Sequence, residues 1–130
     1  MSSSPYLIHF KSIGKSDIGY ISIAEKETLP FVPQRIYWTY YTPEDVKRGF
    51  HSHHQLEQVL VAVAGKIIVT TEMKNGDKQE FILDSPKTGL FIPKNCWRMM
   101  QYSHNAVQMC IASQTYDEAD YIRDYQEFLK

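Results

Sequence analysis

Apolar and polar positions along this chain come in short runs separated by turn residues. The segment 20–24 (YISIA) alternates aromatic or branched residues with small ones, and 35–41 (RIYWTYY) is dense in aromatics. Residues 56–64 (LEQVLVAVA) form a near-continuous apolar run that stops at Gly65, and 66–72 (KIIVTTE) follows at once. Asn75-Gly76 then supplies a hairpin signal, because a type I′ turn needs positive φ at both central positions. Residues 79–83 (QEFIL) return from it, Asp84-Ser85-Pro86 and Gly89 mark the next turn, and runs at 90–92, 96–102 and 106–113 complete the series. Short strands at this spacing predict an all-β sandwich or barrel rather than a βαβ fold. The end of the chain changes period. Thr115-Tyr116-Asp117-Glu118 reads as a capping box, and Asp117 and Glu118 suit the positive end of a helix dipole. Tyr121, Ile122, Tyr125, Phe128 and Leu129 share one helical face. These residues predict a C-terminal amphipathic helix over 115–130 that plugs the barrel or an interface.

Composition narrows the function classes. A chain of 130 residues has room for one core, so a single domain over 1–130 is expected. Aromatic residues make up 13% of it, which strengthens the β reading. The net charge of -1 offers no large basic field for a nucleic-acid polymer or an anionic membrane. No apolar run approaches the roughly 20 residues of a membrane span. Met1 to Pro5 lack the basic and apolar regions of a signal peptide. Cys96 and Cys110 cannot build a disulfide framework, so a reducing cytoplasm is the expected compartment.

Three of the five histidines, His51, His53 and His54, fall within four positions. On a strand, residues i and i+2 face the same way. His51 and His53 are therefore expected side by side in one cavity, with His54 turned away. Glu57 joins their face if the strand stays regular. Two imidazoles and a carboxylate make a metal half-site. Two imidazoles alone make an acid/base pair working near neutral pH.

The string Gly49-x-His51-x-His53-x-x-x-Glu57, with Gly65 behind it, resembles the first cupin motif, HxHxxxE. That resemblance implies a small jelly-roll β-barrel around a site that often binds metal. The counterpart of the second motif is residues 89–98 (GLFIPKNCWR), where Arg98 stands in place of the usual third histidine. A guanidinium has no lone pair and would repel a divalent cation, so no metal and no other cofactor is expected. The stretches RGFHSH (48–53), LEQVLV (56–61), LDSP (83–86) with Gly89-Leu90, and YDEADYIR (116–123) together resemble the dTDP-4-keto-6-deoxyglucose 3,4-ketoisomerases. These are cupins of bacterial deoxy- and aminosugar biosynthesis. Two positions depart from the family pattern: Ile18 replaces an arginine in an N-terminal turn, and Arg98 replaces a histidine.

The resemblance implies an isomerase that moves a ketone from C4 to C3 of a dTDP-linked keto-deoxysugar. The reaction needs a base near C3, a proton donor near C4 and donors facing an oxyanion. His51 and His53 are the candidates for base and shuttle. Tyr37, in a segment (RIYW, 35–38) similar to the family's RxYY, is the candidate relay or oxyanion donor. Arg35, Arg48, Arg98 and Gln58 are candidates for binding the sugar and pyrophosphate, and Trp38 for stacking on the thymine. A homodimer is expected by resemblance. Other readings of the same residues are a metal-dependent cupin, a nucleotide-sugar epimerase and a non-catalytic sugar-binding cupin.

Overall fold

The structure, a computed structural model, describes residues 3–130. Its strands are β1 (Tyr6–His9), β2 (Lys11–Lys15), β3 (Gly19–Ile23), β4 (Arg35–Tyr40), β5 (Lys47–His53), β6 (Gln58–Ala64), β7 (Ile67–Met73), β8 (Lys78–Leu83), β9 (Thr88–Ile92), β10 (Cys96–Tyr102), β11 (Val107–Ala112) and β12 (Tyr121–Ile122); a short helix α1 (Tyr125–Leu129) follows. Two five-stranded sheets form, in the orders β1-β9-β6-β11-β4 and β12-β5-β10-β7-β8, and β2 and β3 pair as a separate hairpin. Every pairing is antiparallel. The all-β expectation holds, and the closed barrel becomes a two-sheet sandwich.

Strand parity builds the core. Leu60 and Ala62 on β6, Ile67 and Val69 on β7, Met100 and Tyr102 on β10 and Cys110 on β11 meet between the sheets. The opposite faces of β6 and β11 carry Val59, Val61 and Ile111, which pack under Phe10, Leu29 and Phe31. That second layer explains why residues 56–64 read as continuously apolar: β6 is covered on both faces.

Asn75-Gly76 does sit in the β7–β8 turn, with a different geometry from the one expected. Gly76 has φ of 94° and Asn75 has a negative φ. The Met73 amide donates to the Asp77 carbonyl and the Gly76 amide to the Met73 carbonyl. This is a three-residue loop with a glycine bulge, the next commonest hairpin solution.

The predicted helix over 115–130 is corrected. Asp117 caps a single 3-10 turn, Glu118–Asp120, with its side chain on the Ala119 amide. The chain then extends as β12, and Asp124 caps the short α1 through the Gln126 amide. Aspartates bond nearby amides readily and so open new short elements rather than continue a helix. The apolar positions still do what their spacing implied. Ile122 and Phe128 are buried against Trp97, with Tyr125 alongside. Full burial of a Phe contributes about 1.5–3 kcal/mol.

Candidate active site

The inner faces of β4, β5, β6 and β10 converge at one end of the sandwich. On β5, His51 and His53 both face inward, with ring centroids 4.9 Å apart in an edge-to-face arrangement. His54, just past the end of β5, is exposed. A bulge lies just before the pair. Arg98 pairs with His51 and Met99 with Gly49, so Phe50 is the extra residue. Phe50 has φ of 56° and Gly49 φ of 100°. A Cβ on Gly49 would lie 2.7 Å from the Arg98 carbonyl oxygen, so only glycine permits this close approach. The shift also returns Arg48 to the inner face, opposite Met100.

Arg98 is the largest side chain in the molecule to be almost completely buried, at 1% exposure. Its Nε donates to the Cys96 carbonyl at 3.1 Å and its Nη1 to Gln58 Oε1. Among the described residues Nη2 has no hydrogen-bond partner and no carboxylate pairs with the guanidinium. Gln58, 2% exposed, passes the connection on: its Nε2 donates to the Tyr37 hydroxyl at 2.9 Å. Arg98, Gln58 and Tyr37 thus form a hydrogen-bonded chain from β10 through β6 to β4. Tyr37 stays a neutral phenol, since burial and the nearby Cys110 thiol push its pKa well above the usual range. The Arg35 guanidinium lies 5.1 Å from the Tyr37 ring centre and 5.7 Å from that of Tyr116. Its Nε and Nη2 are buried without partners.

Burial and then the Arg98 charge depress both imidazoles, His51 to about 4 and His53 to about 2. Both are neutral at physiological pH and available as bases. Asp120 opposes this at His53, its Oδ2 lying 3.3 Å from Nδ1. The contact is off the direct hydrogen-bond line, and the same carboxylate already accepts from two backbone amides, so the lowered direction prevails.

Two expectations change. Trp38 is 62% exposed and lies on the face of β4 opposite Tyr37, so it does not offer its ring to this site from within the chain. Glu57 does not join the histidines, because the strand ends at His53. The Glu57 amide instead donates to Ser113 Oγ at 2.8 Å, and its side chain lines a separate cavity with Met73 and Pro93. Two imidazoles beside a guanidinium are a poor donor set for a divalent cation. Arg48 is exposed. Ile18 is exposed at the tip of the β2–β3 hairpin.

The C-terminal segment brings residues that helical periodicity concealed. The Tyr121 ring lies 4.4 Å from that of His53 and 5.2 Å from that of His51. The Arg123 guanidinium covers Tyr121 at 4.1 Å and is held by Glu118 at 2.7 and 2.9 Å. Tyr116 donates to the same carboxylate at 2.5 Å. The string YDEADYIR carries these residues, and its periodicity suggests a helix where the chain builds a wall.

The chain is similar to known proteins along its described length. The family described as "FdtA: WxcM-like, C-terminal" matches residues 3–130. A TDP-4-oxo-6-deoxy-alpha-D-glucose-3,4-oxoisomerase from Aneurinibacillus thermoaerophilus is 41% identical over 125 residues, covering 95% of this chain and 89% of that protein. The crystal structure of a 3,4-ketoisomerase from Helicobacter canadensis superposes with a TM-score of 0.90 at 37% identity, covering 96% of this chain and 94% of its own. A mutant 3,4-ketoisomerase from Thermoanaerobacterium thermosaccharolyticum, in complex with TDP-4-keto-6-deoxyglucose, superposes at 0.91 with 31% identity, over 99% of this chain and 94% of its own. With the match running through every described residue, the chain belongs to the FdtA (WxcM-like, C-terminal) family of sugar 3,4-ketoisomerases.

Proposed function

We propose that this isomerase moves the keto group of dTDP-4-keto-6-deoxy-D-glucose from C4 to C3 through an enediol, in deoxy-aminosugar biosynthesis. The observation that carries the reading is the Arg98 guanidinium, buried without a carboxylate and paired across the sheet with His51. Burial and then this charge keep the imidazoles neutral, and the guanidinium supplies a donor for negative charge.

The C4 carbonyl acidifies the C3 proton. His51, the half-exposed member of the pair, meets the sugar and removes that proton. The electron pair moves onto O4, and the enediolate forms. Arg98 stabilises the oxyanion. Tyr37 does so too: its oxygen accepts from Gln58, and its O–H, which has only the weakly accepting Cys110 sulfur beside it, turns to the oxyanion. Gln58 therefore acts by holding Tyr37 and Arg98 rather than by touching the sugar. Protonation of O4, loss of the O3 proton and protonation at C4 complete the isomerisation, with His53 carrying a proton behind His51. The exposed Arg48 and the unpaired donors of Arg35 suit the pyrophosphate and sugar oxygens. No step requires a metal or a redox cofactor. The enzyme works in the cytoplasm as a homodimer, through the exposed face of β4.

Incubation with dTDP-4-keto-6-deoxyglucose in deuterium oxide, followed by NMR, tests the reading. The expected product has its ketone at C3 and deuterium at C4. A product with the ketone still at C4 and an inverted neighbouring carbon identifies an epimerase instead. His51→Asn is expected to lower turnover by roughly 10²–10⁴-fold, the usual weight of a general base, with the fold intact.

A further inference from the structure

Asp120 lies beside the histidine pair and has had no part in the chemistry above. It is 8% exposed. Its Oδ1 accepts from the Gln55 amide at 2.8 Å and its Oδ2 from the Leu56 amide at 3.1 Å. Its own carbonyl accepts from the His54 amide at 2.9 Å. The three residues that follow His53 are therefore all held by this one aspartate. Next to it, Tyr121 pairs with His53 in the β12–β5 register and lays its ring on the imidazole.

Amide capping alone does not explain where the carboxylate sits. Oδ2 is 3.3 Å from His53 Nδ1, and His53 is 0% exposed. The other charged or titratable groups that face His53 come from every element packed on it. They are Arg98 on β10, His51 on its own strand, Arg35 on β4 and Arg123 after β12, with the phenol of Tyr121. Glu118, the nearby carboxylate on that segment, is committed to Arg123. Asp120 is the one anionic group within ion-pair distance of the imidazole among the described residues. A buried neutral imidazole carries one N–H. A carboxylate beside Nδ1 attracts that hydrogen and repels a bare lone pair, so the hydrogen belongs on Nδ1.

We propose that Asp120 is a positioning residue for proton transfer: it selects the Nδ1–H tautomer of His53, leaves Nε2 unprotonated inside the site, and stabilises the imidazolium formed when His53 takes up a proton. The second half of this rests on the ketoisomerase reading; the tautomer does not.

Nitrogen NMR of the wild-type imidazoles, with His53 assigned against His51→Asn, reads the tautomer without substrate. A protonated Nδ1 is expected, and a protonated Nε2 with a bare Nδ1 overturns the proposal. Asp120→Asn preserves size and an acceptor for the loop amides. It is expected to shift His53 towards the Nε2–H form, to lower kcat roughly 10²-fold with KM little changed, and to move the acid limb of kcat to lower pH, because the imidazolium has lost its counter-charge. Wild-type kcat and pH profile in a folded Asp120→Asn protein overturn the proposal and leave Asp120 a backbone cap. If the wild-type enzyme does not isomerise the keto sugar, the ketoisomerase reading fails, and the nitrogen spectrum still decides the tautomer.

Discussion

His51 and His53 were legible from spacing alone, because a strand fixes the facing of i and i+2 residues and both imidazoles turn inward. Glu57 was not, because parity holds only while the strand lasts, and the chain leaves the sheet after His53. Their protonation follows from their surroundings. Imidazoles held at about 4 and about 2 in the folded protein titrate near the ordinary 6.5 once the chain unfolds. Between those values the unfolded state binds more protons, so stability falls as pH drops from about 6.5 towards 4 and is indifferent to these groups above about 7. His51 alone contributes at most about 3 kcal/mol to that fall. Urea midpoints measured from pH 7 to pH 4.5 are expected to decline, and His51→Asn to flatten the decline. An equally steep slope in that variant would show that His51 accepts a proton in the folded state as readily as in water.

At the scale of elements, the strand pattern was readable and the C-terminal helix was not. Asp117 and Asp124 each bond an amide two residues ahead, and each restarts the backbone, which no amphipathic count registers. The bulge at Phe50 was equally silent in the sequence, although Gly49 is the residue its backbone demands. β4 carries two surfaces on alternate residues. Arg35 and Tyr37 face the histidine side, while Ile36, Trp38 and Tyr40 stand more than half exposed on the other face. β4 is also the edge of its sheet. An aromatic edge strand left bare invites pairing, and a second copy of the chain is the partner proposed. Sedimentation of the wild-type protein at micromolar concentration is expected to give a dimer and Trp38→Asp a monomer. A monomeric wild-type protein would refute the interface.

The whole molecule is a sandwich whose apolar centre ends in a polar chamber. Leu60, Ile67 and Leu90 fill one part of the space between the sheets, and Arg98, Gln58 and His53 fill another. Composition could not foretell this division, because a net charge of -1 conceals a cation placed where charge is least welcome. That placement sets stability against function. Replacing even a buried ion pair with apolar side chains of similar volume is often neutral or stabilising by about 1–4 kcal/mol, and a buried charge without a counter-ion favours replacement further, while the acceptor left on Gln58 offsets about 1 kcal/mol. Arg98→Met is therefore expected to raise the urea midpoint while abolishing turnover; a lower midpoint would mean the guanidinium is neutralised within the fold. A nucleotide sugar bound in the site is expected to stabilise the fold by mass action, its oxygens meeting donors that Arg35 and Arg98 leave unpaired among the described residues. On the expectation for Arg98→Met, a screen for thermostable variants of this protein would replace Arg98 and lose turnover with it.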